Sequence, residues 1–198
     1  ELGLDERTIV FFSSDNGPVY PPVGGSDSVF FRSAGDLRGY KGSVYEGGIR
    51  EPLIVRWPGR IAAGKVSDHV GYFPDIMPTV AEVAGVRPPP GIDGVSMAPT
   101  LLGAGEQRGH PPLVWEFYGY GGQQAVRDGN WKAVRQNCHK NPAAPLELYD
   151  LSKDPNEQHD VAAANPDVVK RLDAILAAEH SPSEVFQFGK PKAMIPGQ

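Results

Sequence analysis

Two short stretches hold the residue types most able to do chemistry: "SSDNGP" at 13–18 and "GYKGSVYEGGIREPLIVRWPG" at 39–59. Asp15 and Asn16 set a carboxylate and an amide carbonyl side by side. Both are hard oxygen donors, suited to Ca²⁺ or Mg²⁺ rather than to a soft metal. Two donors are too few for Ca²⁺, which takes roughly 6–8 oxygens. Taken alone, Asp-Asn-Gly is more simply a turn. Lys41 is a compact cation able to bind sulfate or phosphate oxygens as a point charge. Gly39, Gly42, Gly47 and Gly48 around it would let the backbone approach a ligand closely. The plain alternative is a solvated loop lysine. Glu46 and Arg50 read as structural, paired with each other or capping backbone groups.

The elements that must position these groups follow from the apolar pattern. "TIVFFSSD" (8–15) and "PLIVRWP" (52–58) are continuous apolar runs of strand length. Such runs imply strands buried on both faces, as in a parallel sheet. The segment 16–28 reads as a long loop. "PDIMPTVAEVAG" (74–85) predicts a helix with Ile76, Met77, Val80 and Val83 at helical spacing and Gly85 as terminator. Strand, loop, strand, helix is an α/β pattern.

A Pro/Gly-rich connector over 86–112, with a short helical turn at Ala98–Leu102, separates this part from the rest. The expected division is 1–105 and 106–198. Beyond it, "LVWEFY", "QQAVRD", "NWKAVRQ" and "LELYDL" predict a small antiparallel sheet, with Asp128-Gly129-Asn130 as a tight turn. A final helix starts at Asn165-Pro166, with Asn165 as its cap. Val168, Val169, Leu172, Ile175 and Leu176 form its apolar stripe. That stripe needs a partner, and the sheet is the expected one.

Composition narrows the function. The 198 residues carry 19 Lys+Arg and 24 Asp+Glu, interspersed, for a net charge of −5. A basic nucleic-acid surface is excluded, whereas a local positive pocket is not. No apolar run approaches membrane-span length. The single cysteine, Cys138, permits neither an intrachain disulfide nor a cysteine-based metal site. The chain opens at Glu1 without methionine and reads as a piece of a longer protein. His69, His110, His139, His159 and His180 show no metal-ligand spacing and read as surface or structural residues. In "WEFYGYGG" (115–122), Trp115 and Phe117 alternate as one face of a strand. Tyr118 and Tyr120 are left as the candidates for substrate contact.

Taken together, "SSDNGP" and "GYKGSVYEGGIREPLIVRWPGRIAAG" resemble the arylsulfatase family of the alkaline-phosphatase-like superfamily. "PDIMPTVAEVAG", "GIDGVSMAPTLLG", "AVRDGNWKAV" and "ELYDLSKDPNEQHDVA" follow in the order of sulfatase C-terminal regions. The resemblance implies the C-terminal part of a mixed α/β fold, followed by a small antiparallel sheet packed on a C-terminal helix. It implies Asp15 and Asn16 as Ca²⁺ ligands and Lys41 as the sulfate-binding lysine. It further implies a parent enzyme hydrolysing sulfate monoesters of small molecules or sugars, located in the periplasm, outside the cell or in the lysosome. The family's nucleophile is a formylglycine made within Cys/Ser-x-Pro-x-Arg. That motif does not occur here, and Cys138 in "QNCHKNP" does not match it. The resemblance places the remaining ligands and the catalytic histidine upstream. The chain alone is therefore expected to be inactive, and to self-associate or pair with a complementing N-terminal half. Two rival readings are a phosphonate or phosphodiester hydrolase of the same superfamily and a non-catalytic binding or assembly module.

Overall fold

The computed structural model describes residues 2–20 and 23–189. Pro21 and Pro22, within the loop read over 16–28, and the end of the tail lie outside the described residues. The chain forms two compact units. One comprises Glu1–Asp15 and Pro52–Pro111, the other Asn16–Glu51 and Pro112–Gln198. The units are not contiguous in sequence, so the segment carrying Lys41 belongs with the C-terminal sheet.

In the first unit, β1 (Val10–Ser13) pairs antiparallel with β2 (Leu53–Arg56), Val10 opposite Arg56. The expected parallel arrangement is corrected here to an antiparallel pair. Among the described residues this sheet has only these two strands. Val10, Phe12, Leu53 and Ile54 are exposed. Continuous apolarity asks for cover on both faces but does not set strand direction. The helix expected over 74–85 begins as a 3₁₀ turn at Phe73–Asp75 and continues as α2 (Ile76–Val83). Its buried residues are Pro78, Thr79 and Ala81, whereas Met77 and Val80 of the expected stripe are exposed. Thr79 Oγ1 donates to Asp75 O and accepts from Met97 N–H, which seats α3 (Ala98–Leu102) beside α2.

In the second unit, β3 (Leu113–Phe117), β4 (Gln123–Asp128), β5 (Trp131–Gln136) and β6 (Glu147–Asp150) form an antiparallel meander in chain order. Gly129, at φ 61, makes the predicted turn between β4 and β5. Side chains alternate between the two faces. Val126, Ala133 and Leu148 face α4 (Pro166–Glu179), whose Leu172 and Leu176 are buried against them. Burying each leucine stabilises by roughly 1.5–3 kcal/mol. Asn165 does not cap this helix with its side chain. Its amide instead donates to Val161 O at 2.9 Å. On the opposite face, Ala125, Val134 and Tyr149 meet Val44 and Tyr45. The sheet thus packs a helix on one side and the glycine-rich segment on the other, which includes a short helix not expected from the sequence, α1 (Glu46–Ile49).

Candidate functional site

Backbone bonds first tie the Asp-Asn-Gly turn to the lysine loop. Lys41 N–H donates to Pro18 O at 2.8 Å, and Gly17 N–H to Gly48 O at 3.0 Å. Gly47 N–H donates to Arg38 O at 2.7 Å. The approach is so close that only glycine fits. A Cβ at Gly17 would stand 2.1 Å from Gly47 O, and one at Gly48 would stand 2.1 Å from Ser43 O. Gly48→Ala is therefore expected to cost about 1–3 kcal/mol of stability through overpacking, measured by urea unfolding. An unchanged midpoint would show that the loop yields freely and is not clamped.

Side chains of the sheet then hold the loop. Gln123 accepts from Val44 N–H at 3.3 Å and donates to Gly42 O at 2.9 Å. The hydroxyls of Tyr45 and Tyr149 both donate to Glu147 Oε2 at 2.6 Å. Burial, then Glu147, pushes both phenols far up, so they remain neutral donors. Arg38 donates to the Tyr149 hydroxyl at 2.7 Å, and its guanidinium lies 3.8 Å from the Tyr45 ring centroid.

Beneath α1 lies a fully buried charge cluster. Lys132 Nζ stands 2.8 Å from Glu46 Oε1 and 2.8 Å from Glu157 Oε1. Glu157 Oε2 accepts Glu46 N–H at 2.6 Å, and Arg50 approaches Glu46 Oε2 at 3.6 Å. Glu46 is structural, as the sequence suggested, but its main partner is Lys132 rather than Arg50. Burial raises the Glu157 carboxyl above its ordinary value, with Lys132 opposing.

These devices immobilise the backbone of Lys41 while its side chain stays exposed, forming no ion pair with a described carboxylate. Asn16 is half-buried, and its Nδ2 donates to Gly17 O at 3.0 Å. Asp15 is exposed and immediately precedes it. Each of the two is by residue type a hard oxygen donor of the kind Ca²⁺ takes. Among the described residues no group of three or more His, Cys, Asp or Glu could hold a metal.

The histidines are engaged elsewhere. His110 Nε2 lies 2.9 and 2.8 Å from the two oxygens of buried Asp75. His139 Nε2 lies 2.8 Å from Tyr118 O, and His180 Nδ1 lies 2.8 Å from Glu116. Cys138 is buried, and burial pushes its thiol up, away from the reactive thiolate. The residues not found from sequence are Arg38, Gln123, Lys132 and Glu157. Only Lys132 left a signal, a charged residue inside the otherwise apolar strand "WKAV".

A family model described as "N-sulphoglucosamine sulphohydrolase, C-terminal" matches residues 39–181. The chain is 34% identical over 227 residues to arylsulfatase A of Homo sapiens, covering 98% of this chain and 44% of that protein. The structure of Ps i-CgsB in complex with k-i-k-neocarrahexaose superposes with a TM-score of 0.72 at 27% identity, over 88% of this chain and 36% of that one. A structure in complex with its substrate D-glucosamine-2-N,6-O-disulfate gives 0.67 at 26% identity, over 89% of this chain and 35% of that one. The chain thus spans less than half the length of these relatives.

Proposed function

This chain belongs to the sulfatase family, of which it carries the C-terminal region, and on that premise we propose that it supplies one half of a site hydrolysing sulfate monoesters. The observation that carries this reading is the Lys41 loop. The backbone of the loop is clamped by Gly17, Pro18 and Gln123, whereas the lysine side chain is left exposed. Cleavage of a sulfate ester spreads negative charge over the sulfuryl oxygens and the leaving oxygen. A cation fixed before the reaction stabilises that charge without reorganising. Lys41 supplies the cation and orients the sulfuryl group.

Asp15 and Asn16 are the oxygen ligands this chain offers to Ca²⁺. The ion, when bound, contributes Lewis-acid polarisation of a sulfuryl oxygen. The formylglycine nucleophile and the other ligands are assigned to an N-terminal half. By chain position, residues 1–105 then belong to the catalytic α/β domain and 106–198 to the C-terminal subdomain, with Asn16–Glu51 packed in the same compact unit as the C-terminal sheet. The exposed apolar side chains of β1 and β2 support the assignment of an N-terminal half, because a covering part of the fold would bury them. The substrate class is a sulfated sugar or another small sulfate ester, supported by the solved relative described with a sulfated glucosamine as its substrate.

The test is hydrolysis of 4-nitrophenyl sulfate with added Ca²⁺, by the chain alone and mixed with a separately made N-terminal half carrying the nucleophile. Activity is expected only in the mixture. Activity of the chain alone, with contamination excluded, would refute the assignment of the nucleophile. A folded but inactive complex would favour the non-catalytic module. A preference for phosphonate esters over sulfate would favour the rival hydrolase.

A further inference from the structure

The hairpin between β3 and β4, "YGYGG" at 118–122, brings an aromatic ring to the Lys41 loop. Tyr120 is 79% exposed, yet its backbone sits at φ 48. Bulky residues rarely occupy that left-handed region, and they persist there only where the surroundings over-determine it. Two bonds do so here. Gly122 N–H donates to Gly119 O, and His139 N–H donates to Gly121 O, each at 2.9 Å.

The ring lies directly on Gly42, the residue after Lys41. A Cβ built on Gly42 would meet Tyr120 Cε2 at 2.3 Å and Cδ2 at 3.0 Å. Gly42 itself is held through its carbonyl by Gln123 at 2.9 Å. Phe117 flanks the tyrosine, with ring centroids 5.9 Å apart. Tyr118, the other aromatic candidate, is taken up internally. It stacks on Phe188 at 4.2 Å and 10°, and burial pushes its phenol up to about 12.

We propose that Tyr120 is a substrate-positioning residue: its ring is the platform for the ring of a sulfated sugar or aryl group whose sulfate is held at Lys41. The assignment rests on the anion-binding reading of Lys41 given above. An aromatic face takes the apolar face of either ring type by stacking. Because the platform and the cation stand at adjoining residues of one clamped loop, a ring-bearing ester is oriented at both ends, whereas a bare anion meets only the lysine.

The test is an amide NMR titration of the 198-residue chain with inorganic sulfate, 4-nitrophenyl sulfate and glucosamine 6-sulfate. All three are expected to shift the Lys41 and Gly42 amides. Tyr120→Gly removes the ring and tolerates the positive φ. It is expected to weaken the ring-bearing esters roughly two- to tenfold and leave inorganic sulfate unchanged, with Tyr120→Phe retaining wild-type affinity. A loss confined to one ester supports the platform and identifies the ring it serves. Equal effects on all three ligands, or no effect, would overturn the role of Tyr120 while leaving the Lys41 reading intact. If no ligand shifts Lys41 or Gly42, the anion site fails and the platform fails with it.

Discussion

Lys41→Ala in the reconstituted enzyme is expected to lower kcat by about 10²–10³, the usual cost of deleting one preorganised electrostatic contact to a transition state. The effect belongs to kcat because charge on the sulfuryl oxygens grows toward the transition state. The variant is also a clean one. The Lys41 side chain is exposed and makes no ion pair with a described carboxylate, and the clamp acts through its backbone N–H, which alanine keeps. Folding stability should therefore change by less than about 0.5 kcal/mol. Lys41→Arg should recover only part of the rate, since a planar fork does not replace a compact point charge. Steady-state kinetics on 4-nitrophenyl sulfate, paired with urea unfolding of each variant, separates the outcomes. A wild-type kcat in a folded Lys41→Ala complex would remove the lysine from the site. A loss of activity that tracks a loss of stability would make it structural.

The sequence was most informative where one residue's surroundings are mainly local. The meander is such a case. Two strand-length segments, 123–128 and 131–136, flank the tight turn at Gly129, and the turn between them sets the pairing. The apolar stripe of α4 likewise demanded a partner and found the sheet. The α1 turn escaped notice because Gly47 and Gly48 have poor helix propensity, and close packing imposes the conformation instead. β1 and β2 were legible as strands, but their antiparallel pairing spans a long intervening loop that carries no direction signal.

At the candidate site, Asp15, Asn16 and Lys41 were nominated by residue type and resemblance. The groups that immobilise the lysine loop were not. The Glu46–Glu157 and Lys132–Glu46 bonds join residues 111 and 86 positions apart. No local pattern announces such a pair. Strand parity does give a rule after the fact. Lys132 and Arg135 are three positions apart on β5, so they leave opposite faces. Lys132 meets Glu46 beneath the loop, whereas Arg135 meets Asp173 on α4 at 2.6 Å.

The same geometry makes Lys132→Met the most damaging substitution expected in the second unit, with a loss of about 3–5 kcal/mol. Methionine roughly preserves the volume of lysine, so packing is not the cause. The cause is Glu46 and Glu157, two carboxylates buried at 2% and 0% exposure, which would lose the ammonium that stands 2.8 Å from each. A buried charge without its partner costs far more than the intact pair contributes. The pH dependence fixes the sign. Glu157 already sits above its ordinary value of 4.5 because burial outweighs Lys132, and removing Lys132 raises it further. A carboxyl whose folded pKa is raised contributes stability that is present below the unfolded value and lost as pH rises through the folded one. The deficit of Lys132→Met should therefore be largest near neutral pH and shrink as pH falls toward the ordinary carboxyl range. Glu157→Gln added to Lys132→Met should recover part of the loss, because the amide oxygen can still accept Glu46 N–H while one buried charge is gone. Urea unfolding of the single and double variants across pH 4–8 tests all of this. A pH-independent deficit, or a double variant no more stable than the single one, would place the cost in packing and not in the unpaired carboxylates.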